Sequence, residues 1–242
     1  MEQTTGKVIL VTGGAQGLGK AISHTLAELS GATLLIADIQ QEKAEAVAAG
    51  IRQEGKKAVS VKLNLCNEKS IDDAVILVRE QFGRLDVLVN NAGVDVTKPI
   101  TEMSVAEWDS VINVNLRGPF LMAKAFLPMM AEQGSGHIIN IISTAALRGW
   151  TEASAYHASK WGLRGFTQAL FTEARRSGIK VSAVIAGGMK TPFLLDRFPD
   201  LDQSKLQDPA NVARTIRFLL SQPPETVIPE VMVLPLQETS WP

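Results

Sequence analysis

Tyr156 and Lys160 stand four residues apart in Tyr156-His157-Ala158-Ser159-Lys160. On a helix that spacing places them one turn apart on the same face. A phenol, with a reference pKa of about 10, exchanges protons poorly near neutrality. A neighbouring ammonium stabilises the phenolate and lowers that value. Reaching about 7 takes on the order of 4 kcal/mol, at ~1.36 kcal/mol per unit. That exceeds what one lysine supplies, so a bound cation and a partly desolvated site must contribute. A phenol tuned in this way serves as a general acid/base. Taken alone, the pair also fits an ordinary amphipathic helix with one surface lysine.

A second constellation lies near the N-terminus. Thr12-Gly13-Gly14-Ala15-Gln16-Gly17-Leu18-Gly19 contains Gly13, Gly17 and Gly19 in a G-x-x-x-G-x-G spacing. Glycines permit a tight turn and close backbone approach to a phosphate. A following helix presents unpaired N–H groups and a positive dipole end. A plain glycine-rich turn is the bland alternative; the motif alone is weak evidence, and strand, turn, helix, strand and acid in succession make the dinucleotide reading much stronger. The acid is Asp38. A carboxylate there accepts from both hydroxyls of an adenosine ribose and repels a 2′-phosphate. No Lys or Arg stands at Gly14, Ala15, Gln16, Ile39 or Gln40 to offset it. The preference expected is NAD(H) over NADP(H), the alternative being a solvated aspartate at a strand end.

The elements that must position these groups alternate along the chain. Apolar runs at Val8–Val11, Thr33–Ala37, Ala58–Leu63, Val87–Val89, Ile138–Ile142, Val181–Ile185 and Val227–Leu234 read as strands. Helical patterns fall between them at about 17–30, 41–54, 68–82, 104–132, 153–177 and 209–221. Runs apolar on both faces, joined by helices, predict an α/β fold of the Rossmann type. It is a doubly wound seven-stranded parallel sheet with helices on both faces. Pro229 cannot donate to a ladder, so the last strand belongs at an edge. Ligands of such a sheet bind at the carboxyl ends of the strands, where strand order reverses.

Composition narrows the function classes. The chain has 242 residues, 24 Lys+Arg, 25 Asp+Glu and 45% apolar residues. That balance lacks the basic footprint of a nucleic-acid binder, and the apolar content is too high for a disordered chain. Length and the lack of an internal linker predict one domain, 1–242. The single cysteine, Cys66, forms no internal disulfide and reads as a small buried hydrophobe. His24, His137 and His157 are dispersed, so no metal site is expected. His157 projects about 100° around the helix from Tyr156 and reads as peripheral. Met129-Met130 reads as core or interface, and Lys56-Lys57 as a solvated pair. A polar N-terminus and no run near the roughly 20 apolar residues of a membrane span predict a soluble cytoplasmic protein.

Three further landmarks complete a pattern: Asn90-Asn91-Ala92-Gly93, Asn115 and Ser143. With T-G-x-x-x-G-x-G, Tyr156 and Lys160 in this order, the chain resembles the short-chain dehydrogenases/reductases of about 250 residues, over nearly its whole length. The resemblance implies an NAD(P)-dependent oxidoreductase. Tyr156 then exchanges the substrate proton. Lys160 assists it and binds the nicotinamide ribose, Ser143 positions the substrate oxygen, and Asn115 holds a water linking Lys160 to solvent. Cofactor contacts fall on Gly13, Gln16, Gly17, Leu18, Gly19, Asp38, Ile39, Asn64, Leu65, Asn91, Val114, Tyr156, Lys160 and Thr191. Asn64 departs from the commoner aspartate. The resemblance also implies a homodimer or homotetramer through the helices of Asn115 and Tyr156, with no nucleic-acid or membrane partner.

Two other departures bear on the pocket. Ala186-Gly187-Gly188 replaces the family's usual Pro-Gly after the sixth strand, which frees the backbone there and suggests a more mobile loop. The end, Pro235 to Pro242, lacks the glycine-rich segment of the 3-oxoacyl-carrier-protein reductases. Its Trp241 either stays free or docks on this or a neighbouring subunit. A substrate loop at about 188–208 carries Phe193, Leu194, Leu195, Arg197, Phe198, Leu201 and Lys205, with Leu147, Arg148 and Trp150 near Ser143. A pocket arginine would add an anion contact, although surface exposure is the commoner fate of the arginine and the lysine. The function expected is hydride transfer between NAD(H) and a partly apolar secondary alcohol or ketone. A non-catalytic dinucleotide-binding regulator and a nucleotide-sugar epimerase or dehydratase are the alternatives. The first has no need of a proton relay, and the second favours another glycine spacing and a longer chain.

Overall fold

The computed structural model describes residues 6–238. The docking considered for Trp241 lies outside the described residues.

The seven apolar runs form seven strands: β1 (Val8–Thr12), β2 (Thr33–Asp38), β3 (Lys57–Lys62), β4 (Val87–Asn90), β5 (Gly136–Ser143), β6 (Ile179–Ala186) and β7 (Glu230–Val233). They pair in the order β3-β2-β1-β4-β5-β6-β7, and every pairing is parallel. Helices α1 (Gly17–Ala27), α2 (Gln41–Gln53) and α8 (Pro209–Leu220) cover one face. Helices α3 (Glu68–Phe82), α5 (Gly118–Gln133) and α6 (Ser154–Ala174) cover the other. The remaining helices are α4 (Val105–Ile112), which runs into α5, and the short α7 (Pro192–Leu195).

Alternation along each strand explains the two layers. Ile9 and Val11 of β1 pack with Ile22 of α1 and Ile216 of α8, while Val8 and Leu10 join the layer of Met122 and Phe126 on α5. Apolar groups on both faces leave β1 no solvent side, which is what a strand covered twice requires. Pro229 marks the edge as the sequence predicts. β7 pairs with β6 alone, but starts at Glu230, later than the apolar run suggested. Without an N–H, Pro229 contributes only its carbonyl, which accepts from Ala183 N at 2.9 Å.

His137 lies inside β5, where its ring nitrogen Nε2 is 2.8 Å from Ser182 Oγ. Ser182 in turn donates to the Ile228 carbonyl. Burial drives the His137 pKa down to about 3, and the charges of Lys180 and Lys7 add to the effect. Between about pH 6.5 and 3 the unfolded chain therefore binds a proton that the folded chain refuses. Stability falls with falling pH through that window, by ~1.4 kcal/mol per pH unit from this group. Urea unfolding at pH 7 and pH 5 should show a loss of about 2 kcal/mol that His137→Gln removes. An equal loss in the variant would contradict the assignment to His137.

Candidate active site

The sheet order reverses between β1 and β4, and a cavity of about 1030 Å³ opens there, at the carboxyl ends of the strands. Its floor begins with the first turn. Thr12 Oγ accepts from the backbone N–H groups of Asn91 and Ala92 at 3.0 and 3.1 Å. The Asn91 amide donates to the carbonyls of Thr12 and Gly13 at 2.9 and 3.2 Å. These bonds clamp the ends of β1 and β4 together. Gly13 has φ +64° and Gly17 φ +52°, values costly for other residues. A Cβ on Gly13 would lie 2.8 Å from Ala92 Cα.

Gly13, Gln16, Gly17 and Leu18 line the cavity; Gly19 does not. Its part is packing, because a Cβ there would stand 2.0 Å from the Gly13 carbonyl oxygen. No side chain caps the N-terminus of α1, whereas Asn67 and Ser104 cap α3 and α4. The α1 amides thus reach the cavity without an internal acceptor from a cap. Asp38 stands at the end of β2, with one carboxylate oxygen accepting from Ala15 N at 3.1 Å and the other from Gln40 N at 2.9 Å. Ile39, Asn64, Leu65, Asn91, Val114 and Thr191 also line the cavity. Asn64 Oδ1 accepts from Cys66 N, and this turn leaves the Cys66 thiol exposed on the cavity wall. The sequence expectation of a buried cysteine is corrected by that turn.

The second wall comes from β5 and α6. Ser143, Tyr156 and Lys160 all line it, and Ser143 hydrogen-bonds the Tyr156 phenol. Lys160 Nζ donates to the Ile141 carbonyl at 3.0 Å and sits 5.6 Å from the Tyr156 ring centre. Beneath them, Asn90 donates to Asn140 and Asn140 to Thr167, at 2.8 and 2.9 Å. This buried amide ladder ties β4, β5 and α6 in register below the site.

Asn115 does not reach the cavity wall. It lies in a π-helical turn, Asn113–Arg117, between α4 and α5. Such turns break the helical ladder and redirect a side chain. Its amide pairs with both backbone groups of Val94 at 2.8 Å and donates to Ser159 Oγ at 3.1 Å. Ser159 sits between Tyr156 and Lys160, so Asn115 holds α6 against the segment after β4. A Cβ on Gly93 would lie 3.4 Å from Asn115 Oδ1 and 3.8 Å from Lys160 Nζ, so the glycine keeps the space between these two groups open.

Burial dominates the electrostatics of this pair. Burial pushes the Tyr156 phenol up to about 12, the Ser143 hydrogen bond opposing it. Burial also brings Lys160 down to about 8. Desolvation dominates in both groups; the Asp95 charge raises the phenol further, and the cation that opposes it is Arg197.

The loop after β6 also differs from expectation. Gly187 N donates to Val233 O, and Gly188 N to Glu238 Oε2, each at 2.9 Å. A Cβ on Gly187 would lie 2.4 Å from Glu238 Oε2. The glycines thus admit the segment at Pro235–Glu238, and the loop is tied rather than loosened. Gln237 and Glu238 line the cavity, as do Trp150, Phe193, Leu194, Phe198, Leu201 and Lys205. Leu147, Arg148 and Leu195 do not. His157 remains outside but fixes Trp150: its Nε2 accepts from Trp150 N at 3.2 Å, and its Nδ1 meets the Ala145 carbonyl at 2.7 Å. Thr12, Asp95 and Glu238 are the site residues that sequence reasoning missed. For Thr12 and Asp95 the available signal was their position, at the end of β1 and just after Asn90-Asn91-Ala92-Gly93.

The profile of the family described as short chain dehydrogenase matches residues 7–202. The chain belongs to that family. A curated relative, an uncharacterised oxidoreductase of Staphylococcus aureus strain USA300, is 34% identical over 236 residues, covering 98% of this chain and 100% of the relative. The (2S)-[(R)-hydroxy(phenyl)methyl]succinyl-CoA dehydrogenase subunit BbsD of Thauera aromatica is 37% identical over 222 residues, 88% of each chain. A metagenomic short-chain oxidoreductase, solved in complex with NADP, superposes with a TM-score of 0.86 at 34% identity, covering 97% of this chain and 99% of that one. The chain is therefore an oxidoreductase of the family, whose members bind a nicotinamide dinucleotide. Its residues fit such a group: left-handed glycines, uncapped α1 amides and a fixed carboxylate line one continuous cavity with Tyr156. Among the described residues no helix is long and apolar enough to cross a membrane.

Proposed function

We propose that this short-chain dehydrogenase moves a hydride between NAD(H) and a partly apolar secondary alcohol or ketone, with Tyr156 as general acid/base. The observation that carries this reading is the shared cavity. The Tyr156 phenol, bonded to Ser143 and one turn from Lys160, opens onto the same space as the glycine turn and Asp38. The dinucleotide supplies the hydride chemistry when bound. The protein's residues do the rest. Ser143 holds the substrate oxygen beside the phenol, and Tyr156 takes or gives the proton. Lys160 and the space between it and Asn115 connect that proton to solvent.

NAD(H) is favoured over NADP(H) because the Asp38 carboxylate stands where a 2′-phosphate would bring a second negative charge. A structural relative carries NADP, so the assignment rests on this chain's own Asp38. Comparing kcat/KM with both cofactors over a panel of alcohols should show at least a roughly tenfold preference for NAD, which Asp38→Ser narrows. A clear preference of the unaltered protein for NADP would overturn the assignment.

A further inference from the structure

Asp95, from the segment after β4, meets Arg197, from the loop after β6, within the cavity that holds Tyr156 and Ser143. The Asp95 side chain is only 6% exposed. Arg197 Nη1 donates to its Oδ2 and the Val96 backbone N–H lies close to the carboxylate, but no donor reaches the buried Oδ1 with hydrogen-bond geometry. Four buried side-chain polar atoms lack partners among the described residues: Gln41 Oε1, Asn90 Oδ1, Asp95 Oδ1 and Ser154 Oγ. Only Asp95 belongs to the cavity wall. A desolvated carboxylate oxygen without a donor is a deficit that calls for an explanation.

Arg197 is itself held in place. Its Nε donates to the Phe193 carbonyl at 2.8 Å, and its guanidinium lies 4.4 Å from the Phe193 ring centre and 5.3 Å from that of Phe198. Phe193 in turn stands 6.0 Å from the Tyr156 ring. Of the two places the sequence left open for Arg197, the pocket is the one observed: aromatic faces and Asp95 draw it into the wall. The Asp95 charge reaches both Tyr156 and Lys160. Arg197 Nη1 also donates to Thr97 Oγ1 at 3.3 Å, and Trp150, Phe193, Leu194 and Phe198 give the same cavity its apolar wall.

We propose that Asp95 is a specificity-determining residue whose Oδ1 accepts from a hydroxyl next to the carbinol carbon served by Tyr156. The substrate class is then vicinal diols, or the corresponding α-hydroxy ketones, on an apolar body. This rests on the acid/base reading of Tyr156. Arg197 already balances the Asp95 charge and Lys160 adds a positive one, so a neutral hydroxyl suits the position better than an ammonium. The terminal torsion of aspartate is soft, and a small rotation turns Oδ1 toward the cavity. A substrate without the second hydroxyl expels water and leaves Oδ1 unpaired; sites built around such a bond discriminate against analogues that lack it. In the oxidation, the carbinol carbon loses a hydride to NAD and its hydroxyl loses a proton to Tyr156. The neighbouring hydroxyl is unchanged.

The test compares 1-phenyl-1,2-ethanediol with 1-phenylethanol on the wild type, Asp95→Asn and Asp95→Ala. Binding is measured by calorimetry with NADH present, where oxidation does not run, and turnover separately with NAD. The wild type should bind the diol at least about tenfold more tightly. Asp95→Ala should remove that preference, the diol losing at least about tenfold more affinity than the mono-alcohol. Asp95→Asn keeps an acceptor and the side-chain shape, and should retain part of it. A purely structural role for Asp95 would weaken both alcohols equally and overturn the proposal, as would equal binding of both, or of neither, by the wild type. Asp95-dependent preference for the diol without oxidation would support the proposal and sink the acid/base reading. Equally efficient oxidation of both alcohols would do the reverse.

Discussion

Replacing Tyr156 with phenylalanine is expected to lower kcat/KM by about 10²- to 10⁴-fold, the usual contribution of a positioned proton donor. Dinucleotide affinity should change little. The substitution removes one oxygen from a side chain that is otherwise wall, with its ring against Phe193 and its hydroxyl on Ser143. No second tyrosine exists to take over. Full activity in the variant would end the acid/base reading. The same scarcity gives a direct probe, because all phenolate absorbance comes from this residue. With the phenol pushed up to about 12 by burial, the protein alone should show no phenolate between roughly pH 7 and 10. Adding NAD should bring the midpoint down into that range, because the nicotinamide of the oxidised cofactor adds a positive charge, where Ser143 and Arg197 alone do not offset the desolvation. A midpoint near 10 without cofactor would contradict the role given to burial. One that stays high with NAD bound would contradict the tuning.

The parts of this site that short-range sequence pattern encodes were legible. Glycine spacing, an acid at the end of β2 and a four-residue step on α6 are local, and each fixes geometry through backbone period alone. Strand alternation placed the sheet for the same reason: apolar residues at both parities of β1 leave no solvent face. What escaped was long-range. Asp95 and Arg197 are 102 positions apart, and Gly188 and Glu238 are 50 apart. Nothing in either neighbourhood announces the other. The π-helical turn at Asn113–Arg117 is a backbone offset without a side-chain period, so Asn115 read as an ordinary helical residue with an implied role. Spacing reports only that Tyr156 and Lys160 are near each other; the burial that raises the phenol in the protein alone comes from the surrounding fold and has no local signature.

The largest effect on the dinucleotide half of the cavity should come from one methyl group, in Gly19→Ala. Helix propensity alone favours alanine by ~1 kcal/mol. Gly165 on α6, whose added Cβ meets nothing within 4 Å, should show that gain when changed to alanine. At Gly19 the same methyl would stand 2.0 Å from the Gly13 carbonyl oxygen and 2.6 Å from Asn91 Nδ2. Neither neighbour can yield cheaply. The Gly13 carbonyl is backbone in a left-handed turn, and the Asn91 amide is bonded to Thr12 and Gly13 across β1 and β4. Either α1 backs away from the turn or the clamp between the strands opens. Overpacking of this kind costs ~1–3 kcal/mol, and losing the Asn91 bonds adds about 1 kcal/mol each. The variant should therefore melt below the wild type while Gly165→Ala melts above it. Because the displaced atoms belong to the cavity floor, affinity for NAD should fall at least about tenfold, the equivalent of ~1.4 kcal/mol. Wild-type stability and affinity in Gly19→Ala would mean that helix and turn are not in the contact described. Lost stability with intact NAD affinity would separate the packing of α1 from the binding surface that it supports.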